Sequence, residues 1–147
     1  MVVTSSMAAV RGPRCSPSAG GAFDPRVDWN RSSRRDGPGM EPYQWAKTEA
    51  ERAALAAARA GGPSVIAVLP TFLVGPPRDP CAAGTSVSLV RGWLRGEGRV
   101  QSRLLCDVRD AARAHLAAAE IPDAAAAGSG RRSLSLSLSL SLSLSLS

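Results

Sequence analysis

Hydrophobic and polar positions fall into distinct patterns along this chain. Ser64 to Leu69 (SVIAVL) is a continuous apolar run of strand length. Such a run suits a strand covered on both faces, as in a parallel sheet. Pro70 is expected to stop it, and Thr71 to Pro77 (TFLVGPP) reads as a rigid loop. Before it, Lys47 to Ala60 (KTEAERAALAAARA) is rich in strong helix formers. Pro42 suits the first turn of that helix, where a missing N–H costs nothing, and Gly61-Gly62 ends it. Trp45, Leu55 and the small alanines are expected to pack it on a sheet. Farther on, Ser86 to Arg95 predicts a second helix and Val100 to Cys106 a short strand. Asp107 to Glu120 (DVRDAARAHLAAAE) predicts a third helix, whose acidic first turn complements the macrodipole. Its inner stripe reads as Val108, Ala112, His115 and Leu116. At the other end of the chain, Val2 and Val3 begin a short strand that Thr4, Ser5 and Ser6 close.

Two stretches carry neither period. Arg11 to Gly39 is predicted as a long loop, punctuated by Gly12-Pro13, Gly20-Gly21 and Gly37-Pro38-Gly39. Inside it, Phe23 to Asn30 (FDPRVDWN) is a small patch with an aromatic anchor. From Ser133 to Ser147, Ser and Leu alternate without exception. That pattern is two-faced and β-like, with an aggregation risk. It also matches a translated dinucleotide repeat, and the expectation is a disordered low-complexity tail over 123–147. Helix, turn and buried strand in this order suggest half of a βαβ arrangement in 1–122. The predicted class is α/β, a partial Rossmann-like doubly wound sheet with a disordered loop and tail.

The balance of 18 Lys+Arg against 12 Asp+Glu gives a net charge of +6, which raises nucleic acid as a partner. The arginines, however, run from Arg11 to Arg132 and are interrupted by acids, and aromatics for base stacking are few. No specific nucleic-acid function is expected. Cys15, Cys81 and Cys106 are widely separated, with no CxxC, and His115 is the only histidine. Neither a zinc site nor a disulfide framework is expected, and a reducing compartment such as the cytoplasm fits. No run has the length of a membrane span. The N-terminus has a second reading as a transit peptide, since the first acid is Asp24. It shows no amphipathic helix, so the strand reading is preferred. Gly92, Gly96 and Gly98 imitate a phosphate loop, but they do not link a strand to a helix early in a βαβ unit.

The chemistry-bearing stretch is Glu41 to Thr48 (EPYQWAKT). It holds the only tyrosine, Tyr43, and the only lysine, Lys47, four residues apart. On a helix, residues i and i+4 share a face. A cation beside a phenol favours phenolate, which fits a tyrosine for acid/base work near neutral pH. The plain alternative is a helix start with an exposed tyrosine and a solvated lysine. His115, with nothing to pair it in sequence, reads as a packed helix residue.

Four segments in order resemble one family. These are VVTSSMAAV (Val2 to Val10), YQWAKTEAERAA (Tyr43 to Ala54), VIAVLPTFLVGPP (Val65 to Pro77) and LLCDVRDAARAHLAAAE (Leu104 to Glu120). Together they resemble the C-terminal half of an extended short-chain dehydrogenase/reductase. The subgroup is the plant NAD(P)-dependent epimerase/dehydratase-like reductases of secondary metabolism, of the dihydroflavonol reductase and cinnamoyl-CoA reductase type. The resemblance implies hydride exchange between NADP or NAD and a carbonyl or secondary alcohol. Ser6 would hydrogen-bond the substrate oxygen, Tyr43 would pass the proton, and Lys47 would bind the nicotinamide ribose. Pro70, Thr71 and Val74 would line the nicotinamide pocket. Asp24 to Asn30 and Arg78 to Ser88 would lie on the substrate side. No metal is implied.

The chain also departs from that family. With no strand, glycine-rich turn and helix ahead of Val2 in the sequence, no cradle for the pyrophosphate is expected within these residues. A truncated form is therefore expected, one that is not active alone. Three functions are carried forward. The first is an oxidoreductase for a small-molecule carbonyl or alcohol. The second is an inactive fragment or interaction remnant that associates with a full-length relative through a sheet edge. The third is a basic, partly disordered anion-binding protein.

Overall fold

The computed structural model describes residues 1–18, 21–79, 81, 84–97, 104–121 and the backbone of 133–136. The strands are β1 (Val2–Thr4), β2 (Ile66–Pro70), β3 (Phe72–Val74), β4 (Leu105–Asp107) and β5 (Ser133–Leu136). The helices are α1 (Glu41–Arg59), α2 (Thr85–Leu94) and α3 (Val108–Ala119), with a single 3-10 turn at Met7–Ala9. Among the described residues, the strands pair in parallel. One sheet has the order β1-β2-β5, with Val3 opposite Ala67 and Val68 opposite Leu134. A second pairs β3 with β4, Leu73 opposite Cys106.

β2 sits at the centre of the first sheet because its sequence is apolar on both faces. Ala67 and Leu69 pack with Val10 on one side, under Met7 and Phe23. Ile66 and Val68 pack with Ala118 on the other, beside Val2, Ala114 and Ile121. Every residue of the strand is buried, which is what a continuous apolar run predicts for a central parallel strand.

Several expectations shift. Pro70 does not end the strand ahead of itself; it is the last strand residue, opposite Leu136. A terminal position tolerates its missing donor. Phe72–Val74 is a strand rather than a rigid loop, since its apolar residues find a partner in Leu105–Asp107. In α3 the buried residues are Ala111 and Ala118, while Val108 and Leu116 are exposed. Small side chains let this helix approach the sheet closely, so the alanine face is the inner one. Trp45 is half-buried with the Arg35 guanidinium 5.9 Å from its ring centroid. Ser133–Leu136, placed by sequence in an unstructured tail, forms the edge strand β5. Its strict two-residue period is the period of a strand. Residues 123–132 and 137–147 of that expected tail lie outside the described residues, as do 98–103, within which the short strand expected from Val100 begins.

Helix ends follow local chemistry. α1 closes with Gly61 at φ 92°, the Gly62 N–H donating to the Ala57 carbonyl and the Gly61 N–H to that of Ala58. This is a Schellman motif, which needs a residue that enters the left-handed region without strain. α3 opens on Asp107, whose carboxylate accepts from the Arg109 N–H at 2.8 Å. Among its described residues the 11–39 segment has no helix, but these residues are pinned by hydrogen bonds rather than loose. Asn30, buried, donates to the Ala8 carbonyl and accepts from the Ser32 and Ser33 N–H groups. Buried Asp28 accepts from the Ser18 and Asp24 N–H groups.

Candidate active site

β1 and β2 run parallel, so their C-terminal ends, Thr4 and Pro70, lie at the same edge of the sheet. In open α/β sheets ligands bind outside these ends. Ser5 continues the pairing, its N–H donating to the Val68 carbonyl at 2.8 Å. Ser6 then caps the 3-10 turn, its hydroxyl oxygen accepting from the Ala8 N–H at 3.2 Å. With a lone pair engaged in that cap, the Ser6 O–H proton remains available to donate to another oxygen.

α1 packs against this turn and supplies the other two residues. The Lys47 ammonium lies 6.0 Å from the centroid of the Tyr43 ring, within the range of a cation–π contact. It also donates to the Thr4 carbonyl at 3.4 Å. A bond from α1 to the end of β1 thereby ties the lysine to the strand that carries Ser6. Tyr43 is 45% exposed. Thr71, just after β2, has a buried hydroxyl oxygen with no hydrogen-bond partner among the described residues.

Several polar contacts here have little or no signal in the sequence. Glu51 is fully buried one turn beyond Lys47, and its carboxylate accepts from the Ser5 hydroxyl. Glu41, at the start of α1, is buried beside Arg14 and Arg34 and accepts from the Arg34 N–H at 3.0 Å. His115 is more than a packed residue. Its Nδ1 donates to the Ala111 carbonyl at 2.7 Å, and its Nε2 lies 2.7 Å from the Thr4 hydroxyl. A carbonyl only accepts, so Nδ1 carries a proton and a neutral ring takes the Thr4 proton at Nε2. The spacing of Glu51 four residues after Lys47 was the only available hint, and spacing alone does not show burial.

The remaining predicted site residues fall in two places. Pro70 and Thr71 stand at the β2 end, beside β1. Val74 lines a separate cleft of about 370 Å³ between β3 and α2, together with Leu73, Pro77, Val87, Val90 and Arg91. Neither Ser6, Tyr43 nor Lys47 lines it. Ser86 and Val87, at the end of the segment expected on the substrate side, do contribute to it. Asp28 and Asn30 accept from backbone N–H groups of the 11–39 segment. Among the described residues no group of three His, Cys, Asp or Glu is placed to hold a metal. None of their helices is long and apolar enough to cross a membrane.

Fold and strand-end geometry define a partial Rossmann-like α/β unit. The sequence model of the NAD dependent epimerase/dehydratase family matches residues 19–130, and the chain belongs to that family. The solved structure of SsCR is similar at 27% identity and a TM-score of 0.70 over 93% of this chain. That of Gre2 from Candida albicans shares the fold at 24% identity and a TM-score of 0.68, again over 93% of this chain. The chain spans 43% of the length of each. No curated protein sequence matches it.

Proposed function

We propose that this chain carries the proton-transfer half of an NAD(P)-dependent oxidoreductase acting on a carbonyl or secondary alcohol. The observation that carries the reading is the Lys47 ammonium, set between the Tyr43 ring and the Thr4 carbonyl at the strand end next to Ser6. A nicotinamide cofactor, when bound, supplies the hydride. The residues present suit its nicotinamide-ribose end. Lys47 has donors beyond the one given to Thr4, and the unpartnered Thr71 hydroxyl lies at the neighbouring strand end.

In this reading Ser6 donates its hydroxyl proton as a hydrogen bond to the substrate oxygen. Tyr43 gives that oxygen its proton in reduction and takes it back in oxidation. Lys47 orients the ribose hydroxyls and stabilises the developing phenolate by its charge. The finer assignment, to reductases of the dihydroflavonol or cinnamoyl-CoA type, rests on the four motif segments, and a cytoplasmic location on the three widely separated cysteines.

The test is a fluorescence titration of the purified chain with NADPH and NADH, beside the same titration of a longer protein that contains this chain. The expected result is saturable binding and carbonyl reduction by the longer protein, and no saturable binding by residues 1–147 alone. A longer protein that binds neither nucleotide would overturn the reading.

A further inference from the structure

We infer that His115 is a positioning residue of the candidate site, acting through Thr4 to hold the Lys47 ammonium beside the Tyr43 ring. The role rests on the proton-transfer reading above and adds α3 to the elements that build the site. Thr4 is held by two helices at once. Its backbone carbonyl accepts from Lys47 Nζ on α1 at 3.4 Å, and its hydroxyl donates to His115 Nε2 on α3 at 2.7 Å.

The placement of His115 follows from the sequence of α3. Ala111, His115 and Ala118 stand at i, i+4 and i+7, a single helical stripe. The two alanines are buried and let the helix come close to the sheet, and the half-buried histidine between them reaches the end of β1. Its Nδ1 is bonded to the Ala111 carbonyl at 2.7 Å, so the ring is already oriented where it meets Thr4. Thr4 is exposed, and water would satisfy its hydroxyl as well, so burial alone does not call for this bond. What the bond adds is a fixed strand end. Thr4 is the last residue of β1, paired with Val68, and a strand terminus without such a tie frays at little cost. A lysine side chain has many rotamers to lose. Holding its ammonium 6.0 Å from the Tyr43 ring centroid therefore depends on an acceptor that stays in place.

The test uses the fact that His115, Lys47 and Tyr43 are each the only residue of their kind, so each gives a single set of side-chain NMR signals. In the full chain, the ring nitrogen shifts of His115 should show the proton on Nδ1. The Lys47 ε-methylene should carry a ring-current displacement from Tyr43, with Tyr43→Leu as its zero. Thr4→Val, which keeps the shape and removes the hydroxyl, should lose most of that displacement, and Thr4→Ser should keep it. His115→Leu should lose it as well, and decides the matter if Thr4→Val does not fold. In a longer, active protein containing this chain, Thr4→Val should raise the nucleotide KM about two- to tenfold, the range of one ordinary hydrogen bond, and Thr4→Ser should restore it. An unchanged displacement in Thr4→Val or His115→Leu overturns the inference, as does a proton on Nε2 or an unaltered KM. A longer protein that binds neither nucleotide fails the functional reading instead, and the NMR comparison still decides whether His115 sets the place of Lys47.

Discussion

The Ser5 hydroxyl donates to the carboxylate of Glu51, joining the end of β1 to the middle of α1 at a point neither residue shares with solvent. Ser5 adjoins Ser6, and Glu51 follows Lys47 by one helical turn, so this contact fixes the spacing between the two halves of the candidate site. A buried group left without its partner costs about 1–3 kcal/mol, and more when it is charged. Ser5→Ala, which removes one hydrogen-bond donor from the buried carboxylate, is expected to destabilise the chain at least as much as Glu51→Gln, which keeps the shape and a polar end. Urea unfolding of the two single variants and the double variant measures this. A double variant no worse than Ser5→Ala is expected; fully additive losses would show that the two residues act separately.

Tyr43 and Lys47 divide the proposed chemistry, and the division is visible in kinetics. In a catalytically active protein containing this chain, Tyr43→Phe is expected to lower turnover by about two to four orders of magnitude. Nucleotide affinity should change little, because the side chain is exposed and the ring is kept. Lys47→Met should weaken nucleotide binding as well, since the ammonium is the group expected to meet the ribose. Steady-state rates and a nucleotide titration on each variant separate the two roles. Undiminished turnover by Tyr43→Phe would remove its acid/base assignment.

What the sequence made legible was periodic or punctuated. The buried run at β2, the α1 boundaries at Pro42 and Gly61, and a helix beginning near Asp107 are local signals that survive in the structure. The four-residue step from Tyr43 to Lys47 likewise places both on α1. The illegible features depend on contacts distant in sequence. Phe72–Val74 becomes a strand only because Leu105–Asp107 arrives beside it. Glu51 looks like a solvated helix charge until Ser5 covers it, and the inner face of α3 is chosen by close approach rather than by its larger side chains. The Ser-Leu repeat carried the correct period for a strand, but period alone names no partner.

Gly75 tests how tightly β3 and α3 are joined. Its φ of 141° lies in a region side chains rarely adopt, and a Cβ there would stand 2.6 Å from Val108 Cγ1. Both the backbone strain and the collision oppose any larger residue. Gly75→Ala is expected to destabilise by about 2–3 kcal/mol. Combining it with Val108→Ala should recover only the part due to the collision, leaving the backbone term. Denaturant midpoints of the two variants decide this, and an unchanged midpoint for Gly75→Ala would contradict the placement of Val108.

Acid sensitivity should centre on Asp107. Hydrogen bonds from the Arg109 side chain and N–H hold its carboxyl at about 2, below the ordinary 3.8. Asp28 is also lowered, chiefly by the Ser18 hydroxyl and the Asp24 N–H. A carboxylate whose pKa is depressed in the folded state stabilises that state above its unfolded value. The contribution from Asp107 is therefore complete above about pH 4 and is lost as pH falls from there towards 2. Arg109→Ala removes the first-named cause, so the Asp107 carboxyl should titrate nearer 3.8 and the start of α3 should fray at a higher pH. Asp107→Asn keeps a capping oxygen but no charge, and should flatten this part of the pH dependence. Carboxyl NMR shifts and far-UV circular dichroism between pH 2 and pH 6 follow both effects. If Arg109→Ala leaves the Asp107 titration where it was, the ion pair does not set the acid response of the helix.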